Sequence, residues 1–209
     1  MTSMTGNVYK VRLGFEMGFA YAQVVEFSGV EFDGRLLYIL SSSDDLDSPC
    51  SDLDEELEGA FVELGPFFMS EWPRVARQSP WRMLGCASMI APSAWPPTKR
   101  SRRSVSLLTG DWSLVPDWYA VAGVGLETAA RQVSSYEEVR SLETRILQTP
   151  SGVRDKATMY RMIQSGMNVQ DAFELRDRRV KNLYEQLVNT YFSAKDAGAL
   201  LSVIFDEAA

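Results

Sequence analysis

The sequence predicts an α+β protein in which an antiparallel β-rich module precedes a helical bundle. Over the first half of the chain apolar residues alternate with polar or small ones, which is the period of a β-strand. After Ser134 the apolar residues recur every three to four positions, as in an amphipathic helix. We therefore expect a barrel-like or strongly bent sheet over residues 1–125 and a bundle of about four helices over residues 126–209.

The first three predicted strands are short runs bounded by turn residues. Residues 8–13 alternate, and residues 19–27 alternate aromatic or branched side chains with small ones. Asp33 and Gly34 mark a turn before residues 35–40. This last run is almost continuously apolar, which is typical of a strand buried on both faces.

An acidic segment over residues 41–59 interrupts the strands. Its serines and Pro49 favour a loop, with one helical turn near residues 52–57. The segment contains no basic residue, although the whole chain has a net charge of −7. Its eight carboxylates are Asp44, Asp45, Asp47, Asp52, Asp54, Glu55, Glu56 and Glu58. The acidity of the protein is therefore concentrated in one segment.

Strand patterns return after Gly59. They cover residues 61–64, 67–69 and 81–86, and a proline- and tryptophan-rich connector follows. The connector ends in a basic cluster at residues 99–103. Residues 105–108 and 112–115 are predicted closing strands.

The second half contains several helix start signals. Pro150 is expected to break the first helix, and residues 153–165 to form the second. A long third helix and a fourth follow, each with an apolar stripe. The expected N-terminal caps are the pair Ser134 and Glu137, then Asn168, then the pair Ser193 and Asp196.

Composition excludes several kinds of site. The chain has no histidine, so histidine-based catalysis and histidine-ligated metals are excluded. Its two cysteines, Cys50 and Cys86, are too few for a disulfide framework or a four-ligand zinc site. No apolar run approaches the roughly 20 residues that span a bilayer, and the N-terminus lacks a secretory pattern. We expect a cytoplasmic protein without a cofactor, a metal or a membrane contact.

Several of these segments resemble the immunity-protein 26 family of bacterial polymorphic toxin systems. The resemblance lies in the glycine–aromatic–small–tyrosine strand of residues 18–25, the pair Phe67 and Phe68, the tryptophan-to-glycine run of residues 81–85, and the proline-rich, basic residues 92–103. It covers roughly residues 8–120, so the helical half lies outside it. It implies a mostly β module that binds and neutralises a partner toxin without catalysis, or such a module reused for binding.

The acidic segment is the first candidate for partner binding. Clustered carboxylates mimic nucleic-acid phosphates and steer a basic partner toward them. The alternative is a solvated loop that keeps the protein soluble. Among the tryptophans, we expect Trp81 and Trp112 in the core and consider Trp72 and Trp95 as interface anchors.

The basic cluster is a second candidate, for nucleic-acid phosphates. It consists of Lys99, Arg100, Arg102 and Arg103. Four positive charges are a small footprint on an acidic protein, so nucleic-acid binding is not favoured. The favoured explanations of the cluster are a solvated hairpin tip or an internal partner for the acidic segment.

The resemblance implies a non-enzymatic bacterial binding protein. The leading hypothesis is that it neutralises a partner toxin protein by occluding its active or substrate-binding surface. The alternative is an adaptor or accessory subunit of a larger assembly, of which a defence-related assembly that acts on nucleic acid is one candidate. An enzyme ranks third, because the commonest general base is missing. The sequence leaves the oligomeric state open.

Overall fold

The structure is a computed structural model that describes residues 5–27, 34–41, 53–92, 96–102, 117–121, 130–133, 135–144 and 147–205. Within these residues the protein is α+β, as the sequence predicts. Its strands are β1 (Asn7–Arg12), β2 (Phe19–Phe27), β3 (Gly34–Leu40), β4 (Val62–Met69), β5 (Trp81–Cys86), β6 (Thr98–Arg102), β7 (Asp117–Val121), β8 (Ala130–Gln132) and β9 (Leu147–Gln148). Its α-helices are α1 (Leu53–Glu56), α2 (Pro150–Gln164), α3 (Arg178–Tyr191) and α4 (Ala194–Phe205).

The larger sheet has six strands in the order β5-β1-β2-β3-β4-β9. All neighbours are antiparallel except β4 and β9, which are parallel. Strands β5 and β9 form its two edges, and no closed sheet is found among the described residues. The bent or barrel-like sheet of the sequence prediction is therefore confirmed only as a mainly antiparallel sheet, and the barrel is not confirmed.

Strand alternation places the side chains as the sequence predicts. Tyr9 and Val11 of β1 join one hydrophobic cluster, whereas Val8 joins the cluster on the opposite face. Strand β3 is buried on both faces, since Leu36 and Leu37 are both fully buried and point to opposite sides. Its continuous apolar run follows from this double burial.

One face of the larger sheet packs against the helices. Ala22, Leu37 and Phe67 of the sheet share a hydrophobic cluster with Met159 of α2 and Leu187 of α3. The cluster thus joins residues from both halves of the chain. Trp81 belongs to it at 3% exposure, which confirms its expected core position.

A smaller sheet has the order β6-β7-β8, all antiparallel. Strand β6 also contacts the segment before β9, because Lys99 N donates to the carbonyl of Glu143 at 2.9 Å. The predicted closing strands at 105–108 and 112–115, the predicted core residue Trp112, and Cys50 lie outside the described residues.

The predicted first helix of the second half is wrong. In its place lie a 3₁₀ turn at Tyr136–Glu138 and the short strand β9. The turn begins one residue later than expected, with Ser135 N donating to Glu138 Oε1 at 3.2 Å. Strand β9 completes the edge of the sheet beside β4, and this long-range pairing overrides the helical spacing.

The later helices are confirmed with corrected starts. Pro150 begins α2 instead of breaking a helix, because proline suits the first helical position after the cap Thr149. Asn168 caps only a 3₁₀ turn at Val169–Asp171, and α3 begins after Asp177, whose carboxylate accepts from two backbone amides. The fourth start is correct, since Asp196 N donates to Ser193 Oγ at 3.2 Å. The described C-terminal half therefore has three α-helices instead of about four.

Candidate functional site

Four of the eight acidic residues proposed for partner binding lie in a helical turn. We call residues 53–58, which include α1, the acidic turn. Leu53 and Leu57 are each 4% exposed and pack on the sheet face opposite the long helices, beside Leu40 and Leu84. Gly85 leaves room for this packing, since a Cβ there would lie 2.9 Å from Leu53 Cδ1. The acidic turn is thus anchored by its own leucines.

Asp54 fixes the acidic turn to the rest of the protein. Its carboxylate accepts from Ser88 N at 2.5 Å and from Ser88 Oγ at 3.1 Å. Charge-assisted hydrogen bonds of this kind are stronger than those between neutral groups. Asp54 therefore serves the fold, and Glu55, Glu56 and Glu58 are the other exposed carboxylates of the acidic turn.

The other partner-binding candidates are placed only in part. Trp72 is half-buried and packs against the main hydrophobic cluster, so one side of the ring serves the fold. The residues that lie outside the described part of the chain are Asp44, Asp45, Asp47, Asp52 and Trp95.

Lys99, one of the four candidate phosphate contacts, lies inside the protein. Lys99 is only 2% exposed. Its Nζ donates to the carbonyl of Arg140 at 2.7 Å and lies 3.3 Å from Tyr136 Oη and 3.4 Å from Thr190 Oγ1. The ammonium is satisfied inside the protein, so it is not available to a phosphate backbone. Arg100 and Arg102 are described only as backbone of β6, and Arg103 lies outside the described residues.

Lys99 belongs to a buried polar cluster that the sequence did not reveal. Glu143, 4% exposed, accepts from Tyr191 Oη at 2.6 Å, and its second oxygen lies 3.7 Å from Lys156 Nζ. Tyr191 Oη in turn accepts from Gly65 N at 2.7 Å. Lys156 is fully buried, and its Nζ lies 5.3 Å from the centroid of the Phe67 ring. We call Lys99, Glu143, Lys156 and Tyr191 the buried lysine–glutamate cluster.

Burial shifts the pKa values in this cluster toward the neutral forms. It lowers the pKa of Lys99 to about 8, although Glu143 opposes this change. It also lowers the pKa of Lys156, again against the carboxylate of Glu143. Burial and the neighbouring carboxylate both raise the pKa of Tyr191 well above 10.0. Lysines with lowered pKa values often act as bases or nucleophiles when a substrate can reach them.

The buried lysine–glutamate cluster is better explained as a structural cross-link. None of three prominent surface clefts in the described part of the chain is lined by its members. Its contacts instead join β6, the segment around Glu143, α2, α3 and the β4 backbone. The one signal for it in the sequence is Lys156 itself, which lies on the apolar stripe of α2 between Val153 and Tyr160.

A cleft of about 910 Å³ lies at the end of the β1–β2 hairpin. Its walls are the hairpin turn, the turn at residues 77–80, and α2. It is lined by Arg12, Arg77 and Arg154, together with the exposed rings of Phe15 and Phe19. We call it the hairpin cleft. Sequence reasoning missed it because the three arginines come from segments far apart in the chain.

Searches of protein-family models, of curated proteins and of solved structures each find no match to this chain. The function must therefore be argued from the site alone. Within the described part of the chain, no group of three or more cysteines or carboxylates is arranged to hold a metal ion. No helix there is long and apolar enough to cross a membrane.

Proposed function

We propose that this protein is a non-enzymatic bacterial binding protein that neutralises a partner toxin by occluding its active or substrate-binding surface. The observation that carries the proposal is the anchored acidic turn, which holds exposed carboxylates on a fixed backbone. These carboxylates fit a basic surface on the partner, such as the cleft of a protein that acts on nucleic acid.

Anchoring makes the acidic turn a better binding element than a free acidic loop. A mobile loop loses conformational entropy when it binds, and this cost reduces its affinity. In the acidic turn Leu53 and Leu57 are already buried, and Asp54 is already hydrogen-bonded. Glu55, Glu56 and Glu58 therefore meet a partner with little further ordering of the backbone. Their charges also increase the rate of encounter with a basic surface.

The first experiment identifies the partner and its stoichiometry. The full chain is used to capture proteins from its native host, and each captured protein is purified and tested for toxicity when expressed alone. The proposal requires one basic protein in stoichiometric complex, whose toxicity this chain suppresses. Recovery of a multi-subunit assembly whose activity the chain supports would instead establish the adaptor function.

The second experiment tests the acidic turn with a charge-matched control. The test variant carries Glu55→Gln, Glu56→Gln and Glu58→Gln, and keeps Asp54 because of its structural hydrogen bonds. The control variant changes three exposed carboxylates elsewhere, with substitutions Glu71→Gln, Glu137→Gln and Asp171→Asn.

Only the test variant should bind the partner more weakly. Exposed charge pairs contribute about 0.5 kcal/mol each, so three together predict about a tenfold loss of affinity, mostly in the association rate. The salt dependence of binding should also decrease. Equal effects in both variants would show that only net charge matters, and the acidic turn would lose its assigned role.

A further inference from the structure

Three arginines from distant segments meet in the hairpin cleft. Arg12 ends β1, Arg77 lies in the turn before β5, and Arg154 lies in the second turn of α2. Such convergence is produced by the fold and not by a local run of basic residues. It is notable in a chain whose net charge is −7.

These three guanidinium groups have no ion-pair partner among the described residues. Four other arginines each have a carboxylate within 3.7 Å: Arg74, Arg131, Arg161 and Arg179. In the hairpin cleft the only carboxylate in the lining is the exposed Glu16, which forms no ion pair with any of the three. A guanidinium offers a planar fork of donors that fits carboxylate and phosphate groups. The cleft is thus a cationic site, in which three arginines face one lining carboxylate, Glu16, and the charge of Arg154 also acts on Asp155 beside it in α2.

Two exposed aromatic rings border the same cleft. Phe15 is 53% exposed and Phe19 is 39% exposed. Each ring is supported by one neighbour: the Phe173 ring meets Phe15 edge-on with centroids 5.1 Å apart, and Lys10 Nζ lies 4.0 Å from the Phe19 centroid. The rings are therefore held in place while a large part of their surface remains open to a ligand.

Hydrogen bonds connect the walls of the hairpin cleft to one another. Arg154 Nε donates to the carbonyl of Arg12 at 2.7 Å, and Arg12 N donates to the carbonyl of Pro80 at 2.8 Å. Gly14 N donates to Thr158 Oγ1 at 3.1 Å. These bonds join all three walls, and the first of them fixes the side chain of Arg154 before any ligand arrives.

The hairpin turn also contains backbone strain. Phe15 and Glu16 have φ values of 53° and 58°, in the left-handed region that glycine prefers. A non-glycine residue there costs about 1–2 kcal/mol, and such strain is concentrated at functional sites. Both strained residues line the cleft.

From this combination we infer that the hairpin cleft binds a nucleotide unit, that is, a phosphate group attached to a flat base. The guanidinium groups match the phosphate, and the open phenyl rings match a base, since aromatic stacking accepts every base. The cleft volume of about 910 Å³ lies within the range for ligands of this size. An acidic peptide would pair with the arginines but would leave the rings without a flat partner. The inference is independent of the proposed function, because the acidic turn and the cleft share no residue.

The test measures binding of fluorescently labelled single-stranded DNA and RNA octamers to the full chain by anisotropy, at about 50 and 200 mM salt. The variants Arg12→Gln and Arg77→Gln remove charge, with Arg74→Gln as the matched control outside the cleft. Phe19→Leu removes the stacking ring, with the exposed Phe61→Leu as its control. AMP and ATP serve as competitors that separate a free-nucleotide site from a strand site, and polyglutamate serves as the acidic-peptide competitor.

We expect the octamers to bind and each cleft variant to weaken binding at least about fivefold, while both controls leave it unchanged. Each arginine substitution should also reduce the salt slope by about 0.7, the amount expected for one phosphate contact on a single strand. Competition by ATP at comparable concentration would assign the cleft to free nucleotides, and its failure to compete would assign it to a strand. The inference is overturned if no octamer or nucleotide binds at low salt, if cleft variants bind like wild type, or if polyglutamate competes as well as an octamer.

Discussion

Glu143→Gln should be among the most destabilising single changes in the protein, although it alters only one oxygen. In the wild type the carboxylate accepts from Tyr191 Oη and faces the Nζ of Lys156, which is fully buried. The amide keeps an acceptor for Tyr191 but removes the negative charge beside Lys156 and near Lys99. Breaking a buried ion pair from one side costs about 3–5 kcal/mol.

We expect the lower end of that range, about 3 kcal/mol, because burial already lowers the pKa of Lys156 and its ammonium can lose the proton. In a chain of this length such a loss lowers Tm by about 6–12 °C. Urea unfolding followed by circular dichroism measures the change directly. The matched control is Glu185→Gln, which breaks the partly exposed pair with Lys181 on α3 and should cost less than about 0.5 kcal/mol.

A double-mutant cycle separates the ion pair from the general effect of substitution. Lys156→Met fills a similar volume without charge, so Glu143→Gln should cost about 1–2 kcal/mol less in its presence than in the wild type. If Glu143→Gln destabilises no more than Glu185→Gln, or if the cycle shows no coupling, the assignment of Glu143 as the counter-charge is wrong.

Three further predictions concern the fold and its pH dependence. Because burial lowers the pKa of Lys99 from 10.5 to about 8, the unfolded chain binds more protons between these pH values, and the Lys99 contribution to the free energy of unfolding rises with pH. In urea titrations Lys99→Met should reduce the rise of the free energy of unfolding with pH, and the exposed Lys195→Met should leave it unchanged. Part of the rise should persist in Lys99→Met, because burial also lowers the pKa of Lys156. Gly65→Ala should lower the free energy of unfolding by at least about 2 kcal/mol in thermal unfolding, because φ is +120° and the new Cβ would lie 3.0 Å from the Leu37 carbonyl oxygen. The control Gly59→Ala, at φ +80° with open space around it, should lower it by about half as much. Leu53→Ala should destabilise the protein by about 2–3 kcal/mol and accelerate amide exchange in the acidic turn relative to β2. Unchanged exchange in the acidic turn would show that Leu53 does not anchor this turn.

The parts of the fold that the sequence predicts well are those set by local periodicity. Residues 19–27 match β2 at both ends, and the apolar run before Ser41 matches β3. Both strands are predictable because alternation and burial on two faces each produce a pattern among neighbouring residues. The start of α4 was predicted for the same reason, since Ser193 and Asp196 form a local capping pair. By contrast, β9 has two residues and exists only because β4 offers it a parallel edge.

The candidate sites were harder to predict because they depend on contacts between distant segments. Lys99 belongs to a basic run that suggests an exposed surface, yet Arg140 and Thr190 provide acceptors for it inside the protein. Nothing near Glu143 in the sequence indicates that Tyr191 and Lys156 will meet it. The hairpin cleft likewise combines β1, a turn and α2. Only the acidic turn was visible beforehand, because its charges are contiguous, although its anchoring by Asp54 was not.

The buried lysine–glutamate cluster also explains how the smaller sheet is positioned. Apolar contacts are not directional, so a purely apolar junction would let β6 settle against the helices in several neighbouring positions. Lys99 instead points its ammonium at three acceptors from two separate segments, which are Tyr136 and Arg140 in the segment before β9 and Thr190 in α3. These directional contacts favour the register that the structure shows. Burying the charges has an energetic cost, and an apolar replacement of similar volume would often be as stable. We therefore interpret the cluster as a device that selects one arrangement of β6, the Glu143 segment and the helices, with specificity as its main contribution and stability second.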